Sequence, residues 1–172
     1  MRRDFAVEVV GSYDAPSVLD VGCGSGRVAE NLIDAGAGQY TGVDFSEPML
    51  ELASERLRRF GDRVRLETGD FLEADLGGPY DVVVALGFFD YIENPVPFVT
   101  RMRELCKGSV VASFPEWTWV KGPLRKIRYE VLADCPIFNY TSRELELMFQ
   151  AAGFKQVSCT ERNGGILLRA DV

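Results

Sequence analysis

Histidine is absent from the 172-residue chain. That excludes Ser-His-Asp and Cys-His catalysis, together with every metal site that needs an imidazole ligand. Cysteine is sparse: Cys23, Cys106, Cys135 and Cys159 lie far apart, with no C-x-x-C pair. They read as reduced thiols of a cytoplasmic protein rather than as a disulfide framework or a zinc site, and no metal is expected. The longest apolar run, Val82 to Phe89, is far too short to span a membrane. The N-terminus, Met-Arg-Arg-Asp-Phe, lacks the apolar core of a signal peptide. Positive charge is also in deficit. Nineteen Lys and Arg against 26 Asp and Glu leave a net charge of −7, which gives no support to general nucleic-acid binding. What remains, 47% hydrophobic and 26% charged residues, is the composition of one ordinary globular domain.

The stretch Val18-Leu-Asp-Val-Gly-Cys-Gly-Ser-Gly-Arg27 organises the rest. Val18 to Val21 read as a buried strand, and Gly22, Gly24 and Gly26 make a loop without side-chain bulk at alternate positions. A helical pattern (Val28, Ala29, Leu32, Ile33) starts directly afterwards and stops at Gly36 and Gly38. Such a junction brings backbone N–H groups and a positive dipole end to one point.

Around it the chain alternates. Residues 4–12 suit a short amphipathic helix with Phe5, Val9 and Val10 inward. Tyr40 to Val43 is a second strand ending at Asp44. Ser46-Glu-Pro-Met opens a helix to about Phe60, with Ser46 as N-cap and Pro48 in its first turn. Val64 to Thr68 alternates as a third strand, and Tyr80 to Leu86 is a β-branched run suited to a strand covered on both faces. Asn94-Pro95 opens a helix that Gly108 ends, and Ser109 to Phe114 is a fifth strand. Thr141-Ser-Arg-Glu144 is a capping box, with Leu145, Met148, Phe149 and Ala152 at helical spacing behind it. Lys155 to Thr160 and Ile166 to Ala170 flank Asn163-Gly164, a hairpin signal. The sum is an α/β, Rossmann-like, doubly wound sheet of seven strands, mostly parallel, with an antiparallel C-terminal hairpin.

A dinucleotide site wants G-x-G-x-x-G. Counted from Gly22, the third glycine position holds Arg27. The spacing G-x-G-x-G, with Asp20 in the strand ahead of it, resembles the first motif of the class I S-adenosylmethionine-dependent methyltransferases, the small-molecule type in particular. The match continues in register. Gly42-Val-Asp-Phe-Ser-Glu-Pro-Met49 is similar to that family's ribose-binding motif, Gly69-Asp70-Phe71 to its adenine-contact motif, and Tyr80-Asp81 with the following run to its fourth-strand motif. The resemblance implies a single methyltransferase domain over 1–172 with S-adenosylmethionine as cofactor. Asp20 and the backbone of Gly22, Cys23, Gly24 and Gly26 would face the methionine tail, since a carboxylate and loop carbonyls suit an ammonium. Asp44 would accept both ribose hydroxyls. Phe45 and Met49 would pack on the adenine, Asp70 and the Phe71 N–H would meet its edge, and Leu86 and Gly87 would close over the methionine end. Each position also has a plainer reading: a tight strand-to-helix turn at Gly22–Gly26, a helix cap at Asp44, a turn residue at Asp70.

The methyl acceptor is less defined. Asp90 and Tyr91, with Glu93 behind them, are the base or orienting candidates, although Asp90 and Asn94 also suit helix capping. Phe88 and Phe89 offer an apolar wall, one of them being core. Residues 115–139 read as a substrate-side insertion. Within them Trp117 to Tyr129 interleaves tryptophans with Lys121, Arg125, Lys126 and Arg128, which suits an anionic substrate or peripheral membrane contact as well as a solvated basic face. Tyr140 is a candidate pocket hydroxyl. The Ser113-Phe-Pro115 turn is similar to that of the magnesium-protoporphyrin subgroup. The expected activity is methyl transfer to a small or lipid-like acceptor, anionic ones included. Only the 1–16 segment precedes the first motif, which leaves the substrate side open or covered by 115–139, a second copy or a protein partner. A non-catalytic S-adenosylmethionine-binding module acting with a partner is the alternative. A nicotinamide-dependent oxidoreductase is disfavoured by Arg27.

Overall fold

A computed structural model of the chain describes residues 2–115, 138–162 and 165–172. The insertion, with its basic and aromatic stretch, and the Asn163-Gly164 turn lie outside the described residues. Seven strands form one sheet: β1 (Ser17–Val21), β2 (Gln39–Asp44), β3 (Val64–Thr68), β4 (Tyr80–Ala85), β5 (Cys106–Pro115), β6 (Gln156–Arg162) and β7 (Gly165–Asp171), in the order β3-β2-β1-β4-β5-β7-β6. The first five are parallel, and β7 runs antiparallel to both β5 and β6. The helices are α1 (Arg2–Gly11), α2 (Arg27–Asp34), α3 (Glu47–Leu57), α4 (Val96–Leu105) and α5 (Ser142–Ala151). The expected architecture is therefore present.

Two apolar layers hold the sheet between helices. On one side α1 and α2 bring Ala6, Val9, Leu32 and Ile33 onto Val18, Tyr40, Val82, Val84 and Val111. On the other, α4 and α5 bring Val99, Met102, Leu145 and Phe149 onto Leu19, Val83, Phe89 and Phe114. β1 and β4 are buried almost throughout, as parallel strands covered on both faces must be. β3, at the sheet edge, alternates. Helix α1 runs down its side of the sheet. At its foot the Tyr13 hydroxyl meets Ser109 Oγ at 2.7 Å, and Ser109 Oγ donates to Asp171 Oδ1 in turn. The capping box on α5 is complete, with Thr141 and Glu144 each accepting from the other's backbone N–H.

Several boundaries differ from expectation. Helix α4 ends at Leu105, and β5 begins at Cys106 with Gly108 inside the strand. A side chain at Gly108 would collide with the Asp81 carbonyl oxygen and approach the Tyr13 hydroxyl to 2.9 Å. This glycine answers a close backbone approach, not a helix stop. Helix α3 ends at Leu57, and Arg58–Arg63 continue as 3-10 turns. Ser46 is the N-cap residue of α3, but its side chain makes no capping bond. Its N–H instead donates to Asp44 Oδ1 at 2.9 Å. Among the described residues, no helix is long and apolar enough to cross a membrane, no acidic or thiol cluster could hold a metal, and Cys23, Cys106 and Cys159 are free.

Candidate functional site

The chain leaves β1 towards β2 on one side and returns to β4 on the other. The C-terminal ends of these two neighbours therefore bound the crevice where open α/β sheets take ligands. Gly22 and Cys23 follow β1 directly, and both N–H groups donate to the Val43 carbonyl, at 2.9 and 3.2 Å. Gly22, Gly24 and Gly26 all have positive φ (71°, 52° and 72°), a backbone state that only glycine adopts at little cost. Their surroundings differ. A Cβ on Gly22 would lie 2.8 Å from Phe88 Cδ2, one on Gly26 would press Leu57 and Ala53 of α3, and one on Gly24 would meet nothing. Gly22 thus admits the Phe88 ring, Gly26 lets α2 pack on α3, and Gly24 presents bare backbone.

Asp44 ties three connections together. Its Oδ2 accepts from Gly24 N–H at 2.8 Å, its Oδ1 from Ser46 N–H at 2.9 Å, and its carbonyl from Gly69 N–H at 3.0 Å. The loop after β1, the start of α3 and the loop after β3 are thereby fixed to one residue at the end of β2. Charge-assisted bonds of this kind are about twice as strong as neutral ones. Each carboxylate oxygen keeps a second lone pair, so the side chain can still accept two further donors. Asp70 is exposed, and its Oδ1 accepts from Leu72 N–H at 2.8 Å.

Beside these carboxylates lies a cleft of about 260 Å³, lined by Gly22, Val43, Asp44, Phe45, Gly69, Asp70, Phe71, Phe88, Ile92 and Phe98. Phe71 stacks with Phe98 at 6.3 Å, and Phe88 meets Phe98 edge-on at 5.3 Å. Phe45 stands 85% exposed at the rim. The site thus pairs flat apolar walls with acidic hydrogen-bond acceptors. It is suited to a planar, partly cationic ligand with hydroxyl or amino donors, and ill suited to a polyphosphate.

Of the expected cofactor contacts, Gly22, Asp44, Phe45, Gly69, Asp70 and Phe71 come together around this cleft. Gly24 joins them through Asp44. Asp20 lies elsewhere. It is buried behind the glycine loop, its Oδ2 accepting from the Tyr40 hydroxyl at 2.8 Å. Burial pushes its carboxyl up to about 7, against the lowering effect of the Tyr40 bond. The Cys23 side chain packs over Gly42, and burial raises its thiol, with Asp20 and Asp44 adding to the effect. Met49 is half exposed on α3, and Leu86 packs into the α1–α2 layer. Neither is part of the cleft wall.

Of the two phenylalanines after β4, Phe88 lines the cleft and Phe89 is core, stacked on Phe114 at 4.4 Å. Asp90 occupies a 3-10 turn, Phe89–Tyr91, and faces Arg2 of α1, with Oδ2 3.6 Å from Nη1. It does not cap α4. Pro95 is the N-cap residue, and Asn94 ahead of it accepts from Val96 N–H at 3.3 Å. Tyr91 is 57% exposed and lies outside the cleft. The Tyr140 hydroxyl is engaged, donating to the Ile92 carbonyl at 2.6 Å. Burial, with Asp90 nearby, pushes it up to about 12. It holds the Asp90 turn in place and is no free pocket hydroxyl. Val43, Ile92 and Phe98 also wall the cleft, and the sequence does not mark them for it. Phe98 has helical spacing with Met102, and only the third dimension shows that it faces outward to the cleft.

Comparison with known proteins follows the same lines. Residues 19–109 match the family model described as a methyltransferase domain. The ubiquinone biosynthesis O-methyltransferase of Bordetella parapertussis is 34% identical over 109 residues, which cover 62% of this chain and 45% of that protein. The enzyme of the same name from Nitrosospira multiformis is 36% identical over 92 residues, covering 52% and 38%. The chain spans less than half the length of these curated relatives. Among solved structures, the magnesium protoporphyrin IX methyltransferase of Synechocystis with bound SAH aligns with a TM-score of 0.78 at 23% identity, covering 98% of this chain and 82% of that one. The YcgJ protein of Bacillus subtilis aligns with a TM-score of 0.79 at 14% identity, covering 99% and 97%. These likenesses establish the fold.

Proposed function

This chain belongs to the methyltransferase-domain family, and from that premise we propose that it binds S-adenosylmethionine beside the glycine loop and methylates a hydroxyl of a small or lipid-like acceptor. The observation that carries the reading is Asp44, fixed by the backbone of three connections at the switch point beside an aromatic cleft. The residues fit the cofactor. Asp44 has lone pairs left for a ribose diol. The faces of Phe45, Phe71 and Phe98 suit an adenine ring, with Asp70 at the rim for its amino group. The bare backbone at Gly22 and Gly24 lets a methionine tail approach closely.

When bound, the sulfonium supplies a methyl group that forms a bond to the acceptor oxygen while its old bond pair returns to sulfur. The chain's own task is positioning and desolvation. Phe88 and Ile92 keep water from the methyl end, and the backbone of Gly87, fixed by its N–H donating to Ser113 Oγ at 2.9 Å, holds the turn above β4. A hydroxyl must lose its proton as it attacks. On this reading the Asp90 carboxylate, three residues past Gly87, receives it. Hydroxyl acceptors are favoured because both curated relatives above are named O-methyltransferases.

A nicotinamide cofactor fits less well. Dinucleotide folds of this type have strand order 3-2-1-4-5-6 and a third spaced glycine. Here β7 is inserted antiparallel beside β5, and Arg27 starts α2. Calorimetry with S-adenosylmethionine, S-adenosylhomocysteine and NAD checks the reading. Binding of the first two but not the third is expected, and failure of both, or tighter NAD binding, overturns it. Cofactor binding without turnover of any hydroxyl acceptor would favour a non-catalytic module instead.

A further inference from the structure

Helix α1 carries a cation at its first residue. The positive end of the helix dipole disfavours a cation there. Arg2 is nonetheless held at that end, across the tops of β4 and β7. Its Nη1 lies 3.6 Å from Asp90 Oδ2 and 3.6 Å from where a Cβ on Gly87 would stand. Its Nη2 lies 3.7 Å from the corresponding point on Gly165. The guanidinium thus lies in van der Waals range of the Cβ positions at two glycines, one after β4 and one at the start of β7. The Asp90 contact is an ion pair longer than a hydrogen bond, and the Arg2 side chain is 38% exposed. The planar fork keeps N–H donors to offer in the geometry that matches a carboxylate or phosphate. Gly87 directly precedes Phe88 of the cleft, and on the methyl-transfer reading the turn they share is the acceptor side.

We infer that Arg2 is a specificity-determining residue: it takes an anionic group of the methyl acceptor in exchange for its long contact with Asp90, whose carboxylate is then released towards the reacting hydroxyl. The acceptor class is accordingly a hydroxyl compound with a carboxylate or similar anion close to the hydroxyl. This rests on the methyl-transfer reading above.

The test uses salicylate, which carries both groups, and phenol, which lacks the anion. Both are titrated into the whole chain by calorimetry, with and without saturating S-adenosylhomocysteine. Salicylate is expected to bind about tenfold more tightly than phenol, and Arg2→Ala to remove that margin while leaving phenol and S-adenosylhomocysteine affinities unchanged. Asp90→Ala separates direct from indirect action. If Arg2 meets the anion itself, removing the competing carboxylate strengthens salicylate binding. If Arg2 acts only through Asp90, the two variants behave alike, and the inference fails. Equal binding of salicylate and phenol, no salicylate binding, or an Arg2→Ala chain that still prefers salicylate also overturns it. Failure of S-adenosylhomocysteine to bind would instead strike the methyl-transfer reading, and the titration without it would still report on Arg2.

Discussion

The two halves of the strand tops are built differently. Above β1, β2 and β3 each functional group comes from the segment that directly follows its own strand: Gly22 to Gly26, Asp44 and Phe45, Gly69 to Phe71. One residue, Asp44, ties the three segments together, its carboxylate accepting from Gly24 and Ser46 N–H and its backbone carbonyl from Gly69 N–H. Above β4, β5 and β7 the groups come from distant parts of the chain. Arg2 meets Asp90, and Tyr140 bonds the carbonyl of Ile92. The first half is a set of local motifs locked in register by the sheet. The second exists only once helix and strand have packed. On the proposed function, the half that takes the cofactor can thus stay constant while the half that takes the acceptor is varied one contact at a time.

A change in the first half therefore reaches all three of its segments. Asp44→Ala removes both loop bonds and the proposed ribose acceptor, and S-adenosylhomocysteine affinity should fall about 100-fold with the fold retained. Calorimetry beside a melting curve measures both. A fall below about fivefold would break the comparison. A smaller effect is expected at Gly22, where a methyl group meets positive φ and the Phe88 ring together. Gly22→Ala should destabilise the fold by about 1–2 kcal/mol and weaken the cofactor. Adding Phe88→Ala should recover the steric share, a coupling of at least about 0.5 kcal/mol in a double-mutant cycle of denaturant midpoints.

Asp20 gives a subtler effect, because it works from behind the loop. Its carboxyl is raised from 3.8 to about 7, so the folded chain holds this proton more tightly than the unfolded one. Its contribution to stability is full below pH 4 and is lost as pH rises through about 7. Asp20→Asn should flatten that slope. Tyr40→Phe, which removes the donor to the carboxylate, should extend the slope upward and cost about 1–3 kcal/mol at pH 8. Denaturation across pH reads both variants. The smallest expected effect sharpens the contrast: Asp90→Asn should leave S-adenosylhomocysteine affinity within about twofold.

The same division explains what was legible. Strand-loop-helix junctions announce themselves in contiguous residues, so the sheet, its antiparallel end and seven cleft residues follow from the sequence. A carboxylate beside a glycine loop suggests a ligand contact for Asp20. The alternation of β1 instead turns it to the α2 face with Tyr40. Gly108 looked like a helix stop, since a glycine needed for strand approach and one needed for a cap are the same letter. Arg2 carried no signal, for nothing in its neighbours points to a residue 88 positions away.

Helix α1 is pinned at its foot by the Tyr13–Ser109 bond and ends at its tip in Arg2. That makes it a measuring rod. Each residue advances an α-helix by about 1.5 Å and turns it by roughly 100°. The number of residues between foot and tip therefore decides both how far the guanidinium reaches over the sheet and which way it points. One residue more or fewer would aim the same arginine away from Gly87 and Asp90 without altering any residue there. For this helix, length is part of the recognition chemistry.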